Sequence, residues 1–275
     1  MNKETLQRFL LRLYRAVMST GVMSTEWGRN LFEVVYGRYK AWFEVGDIRA
    51  LRHYLPSGST VVDVGANVGF FTQRFAQWLS GTGLVIAIEP EASNFKRLNQ
   101  MIRKQGLTGI VRTFCGVAAE KPGVLKLQVN PYHPGDHKIG SDGVDVPAFT
   151  VDGLVAECRA SRVSFIKIDV QGAEERVLRG ALQTIRRSRP AMLLEIDDAG
   201  LRKMGSSAVA VVGLLEREGY AIHRLHKGKI IGPFSLSEVL PLCQDGRYAD
   251  LLFLPKVTGS DELDLAHREQ AHAQQ

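Results

Sequence analysis

From Thr60 onward the chain alternates short apolar runs with longer segments whose apolar residues recur every three or four positions. The runs are TVVDV from Thr60, LVIAIE from Leu84, IVRTFCG from Ile110, VSFIKID from Val163 and AMLLEID from Ala191. Each is nearly continuous and ends in polar or small residues, the pattern of strands buried on both faces of a parallel sheet. Between the runs, Phe71, Phe75, Trp78 and Leu79 share one helical face, as do Phe95, Leu98 and Ile102, and then Val177, Leu178 and Ala181. Strands alternating with such helices predict right-handed crossovers and a doubly wound, mostly parallel α/β sheet. AVAVVGLLEREGY reads as a helix stopping near Gly219; YAIHRLHKGKIIG and YADLLFLPKV read as two strands, the last of them antiparallel. NPYHPGDHKIGSDG, from Asn130, reads as a long loop over the active face, since loops rich in Pro and Gly at that length are often functional.

The ends of the chain read differently. Residues 1–56 form a helical extension with turn signals near Gly21 and Gly46, closed by the PSGS break at Pro56. The main domain is assigned to 57–256, and the polar tail 257–275 is expected to be disordered. Leu6, Leu10, Leu13 and Val17 would share a helical face, but Arg8, Arg12 and Arg15 interrupt the apolar stretch. That makes a poor signal-peptide core, too short to span a bilayer. A helix packed on the main domain is the plain reading. A membrane-surface helix giving peripheral membrane contact, or a lid over the substrate, is the sharper one.

Composition narrows the class. A chain of 275 residues with 45% hydrophobic content can bury one sizeable core. The formal net charge of +6 is spread rather than blocked, so nucleic acid is not an expected partner; an anionic acceptor is a milder use of the same field. Cys115, Cys158 and Cys243 lie far apart and form no CxxC, consistent with reduced thiols in a cytoplasmic protein. Nothing in the sequence bears on oligomeric state.

The chemistry concentrates in VVDVGANVGFFTQRFA, from Val61. Asp63, Gly65, Asn67 and Gly69 sit between a strand candidate and a helix candidate, where α/β sheets bind ligands. Gly69 is followed by Phe70 and Phe71 rather than Lys and Ser or Thr, so the phosphate-cradling P-loop fails. The DxGxNxG pattern places Asn67 where a dinucleotide loop wants its second Gly. Glu89 ends the next run, about twenty residues on, the separation of an acid that accepts from ribose hydroxyls. A glycine loop plus this acid points to an adenosine cofactor without a pyrophosphate, and S-adenosylmethionine fits. A nicotinamide-dependent oxidoreductase and a tight structural turn with a surface Glu are the alternatives.

Taken together, VVDVGANVGFFT at Val61, IEPEASNFKRL at Ile88, VPAFTVDGL at Val146, FIKIDVQGAEERVLRGA at Phe165 and LLEID at Leu193 resemble the FkbM family of class I S-adenosylmethionine-dependent methyltransferases. The resemblance covers about half of the chain and implies a Rossmann-like fold. It implies methyl transfer, usually to an oxygen of a sugar, polyketide or other natural product, hence a small-molecule or saccharide acceptor. By the same resemblance Asp63, Gly65, Asn67 and Gly69 are the cofactor loop, Glu89 the ribose acid and Val117 an adenine neighbour. Asp169 ends the fourth strand and faces the reaction centre. Gln171 departs from the family pattern, standing where many members carry Glu; a supporting hydrogen bond is its expected role. A non-catalytic cofactor-binding derivative is the reading that Gln171 alone favours.

Methyl transfer to an unactivated hydroxyl calls for alignment and a base or metal. Asp169 and Glu195, at the ends of neighbouring strand candidates, are candidates for either role, and with Asp197 could hold a Mg²⁺-type ion. The same acids could instead cap helices or bind the methionine amine. Lys167 lies two residues before Asp169, on the same strand face, and is expected to pair with it and keep it ionised, as a catalytic candidate or as a buried structural pair. In the Asn130 segment, His137 is a candidate general base beside His133. His223 and His226 are assigned to a late strand or turn.

Overall fold

Strands whose side chains are apolar on both faces need cover on both sides, and this requirement orders the whole molecule. The computed structural model describes residues 48–130, 137–160 and 162–256. The chain divides between Arg49 and Ala50, and the unit that follows is the one described. The expectations for the N-terminal helix, the tail after Val257 and His133 fall outside the described residues.

The first half of the main sheet is built from β1 (Thr60–Val64), β2 (Leu84–Glu89) and β3 (Val111–Cys115), linked by helices α1 (Phe70–Trp78) and α2 (Ala92–Lys104). A second set continues from β8 (Val163–Ile168) and β9 (Ala191–Ile196) to β10 (Tyr220–His226), β11 (Lys229–Phe234) and β12 (Ala249–Pro255). The spatial order is β11-β10-β12-β9-β8-β1-β2-β3. Strands β3, β2, β1, β8 and β9 are parallel neighbours; β12 runs antiparallel between β9 and β10. The predicted doubly wound sheet with an antiparallel C-terminal strand is therefore present. One reading is corrected. YAIHRLHKGKIIG is a hairpin of two strands, β10 and β11, because Lys227 and Gly228 both take positive φ and reverse the chain. His223 and His226 lie in β10, as expected.

Between the halves the chain forms a separate four-stranded sheet that the sequence pattern did not reveal. It comprises β4 (Val117–Ala118), β5 (Gly123–Gln128), β6 (Lys138–Gly140) and β7 (Val144–Phe149), in the order β4-β7-β5-β6. The segment read as one long loop thus carries β6. Of its residues, 131–136 lie outside the described ones. Val117, Leu127, Val146 and Ala148 form its small core. These strands alternate in burial and are short, so their apolar signal is weak.

Helices cover both faces of the main sheet. On one face, Val62, Val64, Ile166, Ile168, Met192 and Leu194 join residues of α3 (Val151–Glu157), α4 (Glu174–Arg179), α5 (Leu182–Ser188) and α7 (Ala208–Arg217) in one core. On the other face Phe75 of α1 lies 5.5 Å from Phe165 of β8, ring centre to ring centre. Helix α7 starts at a Ser207 side chain that accepts the Ala210 N–H, and Gly219, at φ 79°, follows its end.

The sheet order changes direction beside β1: β2 and β3 lie on one side, β8 and β9 on the other. The tips of β1 and β8 meet closely there. Gly65 has φ 75°, and a Cβ at this position would stand 1.9 Å from the carbonyl oxygen of Asp169. Gly69 has φ 97°, and its Cβ would collide with Met101 and Leu98 of α2. The two glycines are thus required by neighbouring protein, before any ligand is considered. Gly65→Ala is expected to destabilise the fold by more than about 2 kcal/mol, combining left-handed backbone strain with a backbone clash. Thermal or urea unfolding measures this, and an unchanged midpoint would mean that the two tips separate freely.

Candidate functional site

The strand period of two places Asp63 on the α1 face of β1 and puts Phe165, Lys167 and Asp169 on the corresponding face at β8. Parallel register sets Asp63 beside Lys167. The apolar floor therefore ends in a string of charges at the tips. The Lys167 ammonium lies 3.1 Å from Asp169 Oδ2 and 3.7 Å from Asp63 Oδ1, and donates to the Gly65 carbonyl at 3.0 Å. It stands over the Phe71 ring, 5.1 Å from its centre. Asp63 is wholly buried and accepts the Thr72 hydroxyl at 2.6 Å. Burial pushes its carboxyl above the ordinary range, while Lys167 and the Thr72 hydroxyl pull the other way. The Asp169 side chain is about a quarter exposed, so it is the member of the string that reaches the cleft. Asp63, a cofactor-loop candidate, is held beneath the loop by Thr72 and Lys167.

Glu89 ends β2 across the tip of β1. Its Oε2 accepts the Asn67 N–H at 2.8 Å, and its Oε1 accepts the Glu91 N–H at 3.0 Å. Asn67 holds a positive φ of 51°, and its side-chain oxygen accepts the next N–H, that of Val68. The carboxylate and the glycine loop are therefore one unit. Burial raises the Glu89 carboxyl to about 7, against the lowering effect of the Glu91 and Asn67 N–H groups. Asn94, buried in the first turn of α2, lies 3.5 Å from Glu89 Oε1.

His137 belongs to this corner. Its Nδ1 accepts the Asn130 N–H at 3.1 Å, and its Nε2 lies 3.5 Å from Asn94 Nδ2. The expected general base is thus tied, through Asn94, to the acid at the β2 tip. Val117 is buried in the core of the second sheet, so its side chain is committed to packing.

The turn after β8 forms the other wall. Gln171, at φ 56°, donates from Nε2 to Glu195 Oε1 at 3.2 Å, the supporting role expected of it. Glu195 ends β9. Asp197 caps α6 (Asp198–Lys203), its Oδ1 accepting the Ala199 N–H at 3.0 Å. The structure does not assemble Asp169, Glu195 and Asp197 into an ion site: among the described residues no three His, Cys, Asp or Glu side chains group so as to hold a metal. The cap withdraws Asp197, because a helix start offers unpaired N–H groups to the nearest carboxylate.

Sequence reasoning missed Thr72, Asn94 and Glu174. Thr72 and Asn94 are polar residues on otherwise buried helical faces, a signal visible only once the faces are known. Glu174 is 2% exposed, and burial raises its carboxyl to about 7, opposed by the Gly172 N–H at 3.1 Å.

Comparison with known proteins places this arrangement. Residues 63–222 match the methyltransferase FkbM domain, a span that includes Asp63, Glu89, Lys167, Asp169 and Glu195. "Methyltransferase 1" of Beauveria bassiana (strain ARSEF 2860) is 26% identical over 196 residues, covering 61% of this chain and 74% of that protein. Among solved structures, a methyltransferase FkbM from Methylobacillus flagellatus KT aligns with a TM-score of 0.48 at 17% identity. That alignment covers 72% of this chain and 44% of the other, so the chain spans under half of that structure. Aeropyrum pernix fibrillarin, solved with S-adenosyl-L-methionine, aligns with a TM-score of 0.41 at 12% identity, over 73% of this chain and 67% of the other. Within the described residues no helix is long and apolar enough to cross a membrane. With more than half of its length matched by the family, and the matched span holding the charged strand tips, the chain belongs to the FkbM methyltransferase domain family and is a methyltransferase.

Proposed function

We propose that the chain transfers the methyl group of S-adenosylmethionine to a hydroxyl of a small-molecule or saccharide acceptor. The observation that carries this reading is the buried Glu89 carboxyl, joined to the glycine loop by the Asn67 N–H at the switch in strand order. A carboxylate there accepts from both hydroxyls of a ribose. The surrounding charge supports a cationic cofactor. Glu89, Asp169 and Glu195 lie at the tips of β2, β8 and β9, on either side of β1, while the Lys167 ammonium is already engaged by Asp63 and Asp169. A sulfonium is at home in such a cleft and a pyrophosphate is not, which weighs against a nicotinamide dinucleotide.

S-adenosylmethionine, when bound, supplies an electrophilic methyl group on a positively charged sulfur. The chain's own work is alignment, exclusion of water and management of one proton. Asp169, partly exposed and held by Lys167, is the group we assign to accept the acceptor hydroxyl's proton as its oxygen takes the methyl group. Gln171 and Glu195 border the acceptor side. His137 serves the cofactor side through Asn94 and Glu89.

Calorimetry with S-adenosylmethionine and with NAD, followed by methyl release on a panel of hydroxylated acceptors, tests the reading. Binding of NAD in preference would overturn it. Glu89→Ala is expected to weaken S-adenosylmethionine binding about tenfold or more, the scale of one charge-assisted hydrogen-bond pair. Since ribose hydroxyls donate best to the ionised form, affinity is expected to fall as pH drops from about 8 to about 6 through the raised Glu89 value, and Glu89→Gln is expected to flatten that slope. An unaltered slope in the variant would remove Glu89 from the ribose. Asp169→Asn is expected to lower turnover at least about a hundredfold, the usual scale of a lost general base, with cofactor affinity changed far less. Equal losses in both would reassign Asp169 to binding.

A further inference from the structure

Asp169 is reached along a well-supported strand and left through an unusual turn. Upstream, its N–H donates to the Val64 carbonyl at 3.1 Å, and its own carbonyl abuts Gly65. Downstream, Gln171 and Gly172 take φ values of 56° and 103° in succession before α4 begins. A side chain on Gly172 would meet the Gly200 carbonyl of α6 at 2.5 Å, so the turn is pressed against that helix. Consecutive positive φ values offer no regular hydrogen-bond ladder to hold them.

Glu174 fills this gap. It folds back over the turn, where Oε1 accepts the Gly172 N–H at 3.1 Å. The side chain is buried, and Oε2 has no hydrogen-bond partner among the described residues. Asp169 is a like charge close by. Burying a carboxyl in that position is unfavourable on its own account. Its contacts are with the turn, whereas the packing of α4 on the core comes from Val177 and Leu178.

We propose that Glu174 is a positioning residue for methyl transfer: by holding the Gly172 N–H it fixes the turn that follows Asp169, and so sets where the Asp169 carboxylate stands relative to the reacting methyl group. This rests on the reading of Asp169 as facing that group. Glu174 touches neither cofactor nor acceptor. It acts through the turn, and nothing in the family match or the relatives assigns it a role.

The experiment follows the bound cofactor directly, using S-adenosylmethionine with an isotope-labelled methyl group and nuclear magnetic resonance. Glu174→Ala is expected to bind the cofactor within about threefold of the unaltered chain, while the bound methyl resonance moves toward its free position and transfer slows about tenfold or more. Glu174→Gln keeps an oxygen that accepts the Gly172 N–H and is expected to restore both the resonance and the rate. If Glu174→Ala does not fold, Glu174→Asp takes its place. It keeps a charge at the start of α4 but is one methylene too short to reach Gly172, and the same displacement is expected. An unmoved resonance with unchanged turnover in the folded variant would overturn the proposal, as would a Gln variant that behaves like Ala. Failure of the unaltered chain to bind S-adenosylmethionine would sink the cofactor reading first and this inference with it, so the two failures are distinguishable.

Discussion

Lys167 brings an ammonium group to a place with almost no water and spends all of it on protein: the Asp63 and Asp169 carboxylates, the Gly65 carbonyl and the face of Phe71. Such a group is tolerated only while its partners stay in place. Removing one side of a buried pair typically costs about 3–5 kcal/mol, because the remaining charge is stranded. The partners come from β1, from the loop that leaves it and from β8. Their positions are therefore tied to one another. Gly65 completes the arrangement by letting the two tips approach to a distance that no other residue allows.

Everything proposed about chemistry hangs from that junction. The glycine loop is held on one side by Lys167, through the Gly65 carbonyl, and on the other by Glu89, through the Asn67 N–H. Asp169 is held by Lys167 and by the strand that precedes it. A cofactor lying across the tips of β1 and β2 would meet a surface already organised before it arrives, which is how a transfer reaction gains from alignment. In the same organisation the lysine is internal and paired, while Asp169 keeps part of its side chain exposed.

Residues that looked alike in the sequence divide into different tasks. Asp63, Glu89, Asp169, Glu195 and Asp197 all end strand candidates or follow them. Asp63 supports the loop from below, Glu89 joins it from the side, Asp169 reaches the cleft, Glu195 takes a hydrogen bond from Gln171, and Asp197 caps α6. His137, a candidate base by sequence, is held at the corner of Asn94 and Asn130. Which task each acid performs depends on the nearest donor: for Asp169 and Asp197 it lies two residues away, whereas for Asp63, Glu89 and Glu195 it comes from another element.

The chain's order of apolar runs and helical faces determined the doubly wound sheet, the antiparallel last strand and the position of the site at the strand tips, because burial on both faces leaves a period that can be read locally. The spacing from Gly69 to Glu89 and the two-residue step from Lys167 to Asp169 were legible for the same reason: each lies within one strand or one strand–helix–strand unit. The four-stranded second sheet, the hairpin turning at Lys227, the seat of His137 and the capping role of Asp197 were settled only in three dimensions. So was the reason for the glycines, which is the carbonyl of Asp169 against Gly65 and the side chains of α2 against Gly69. The first contact joins residues about a hundred positions apart and the second about thirty, and no local pattern records which groups will be pressed together when the sheet closes.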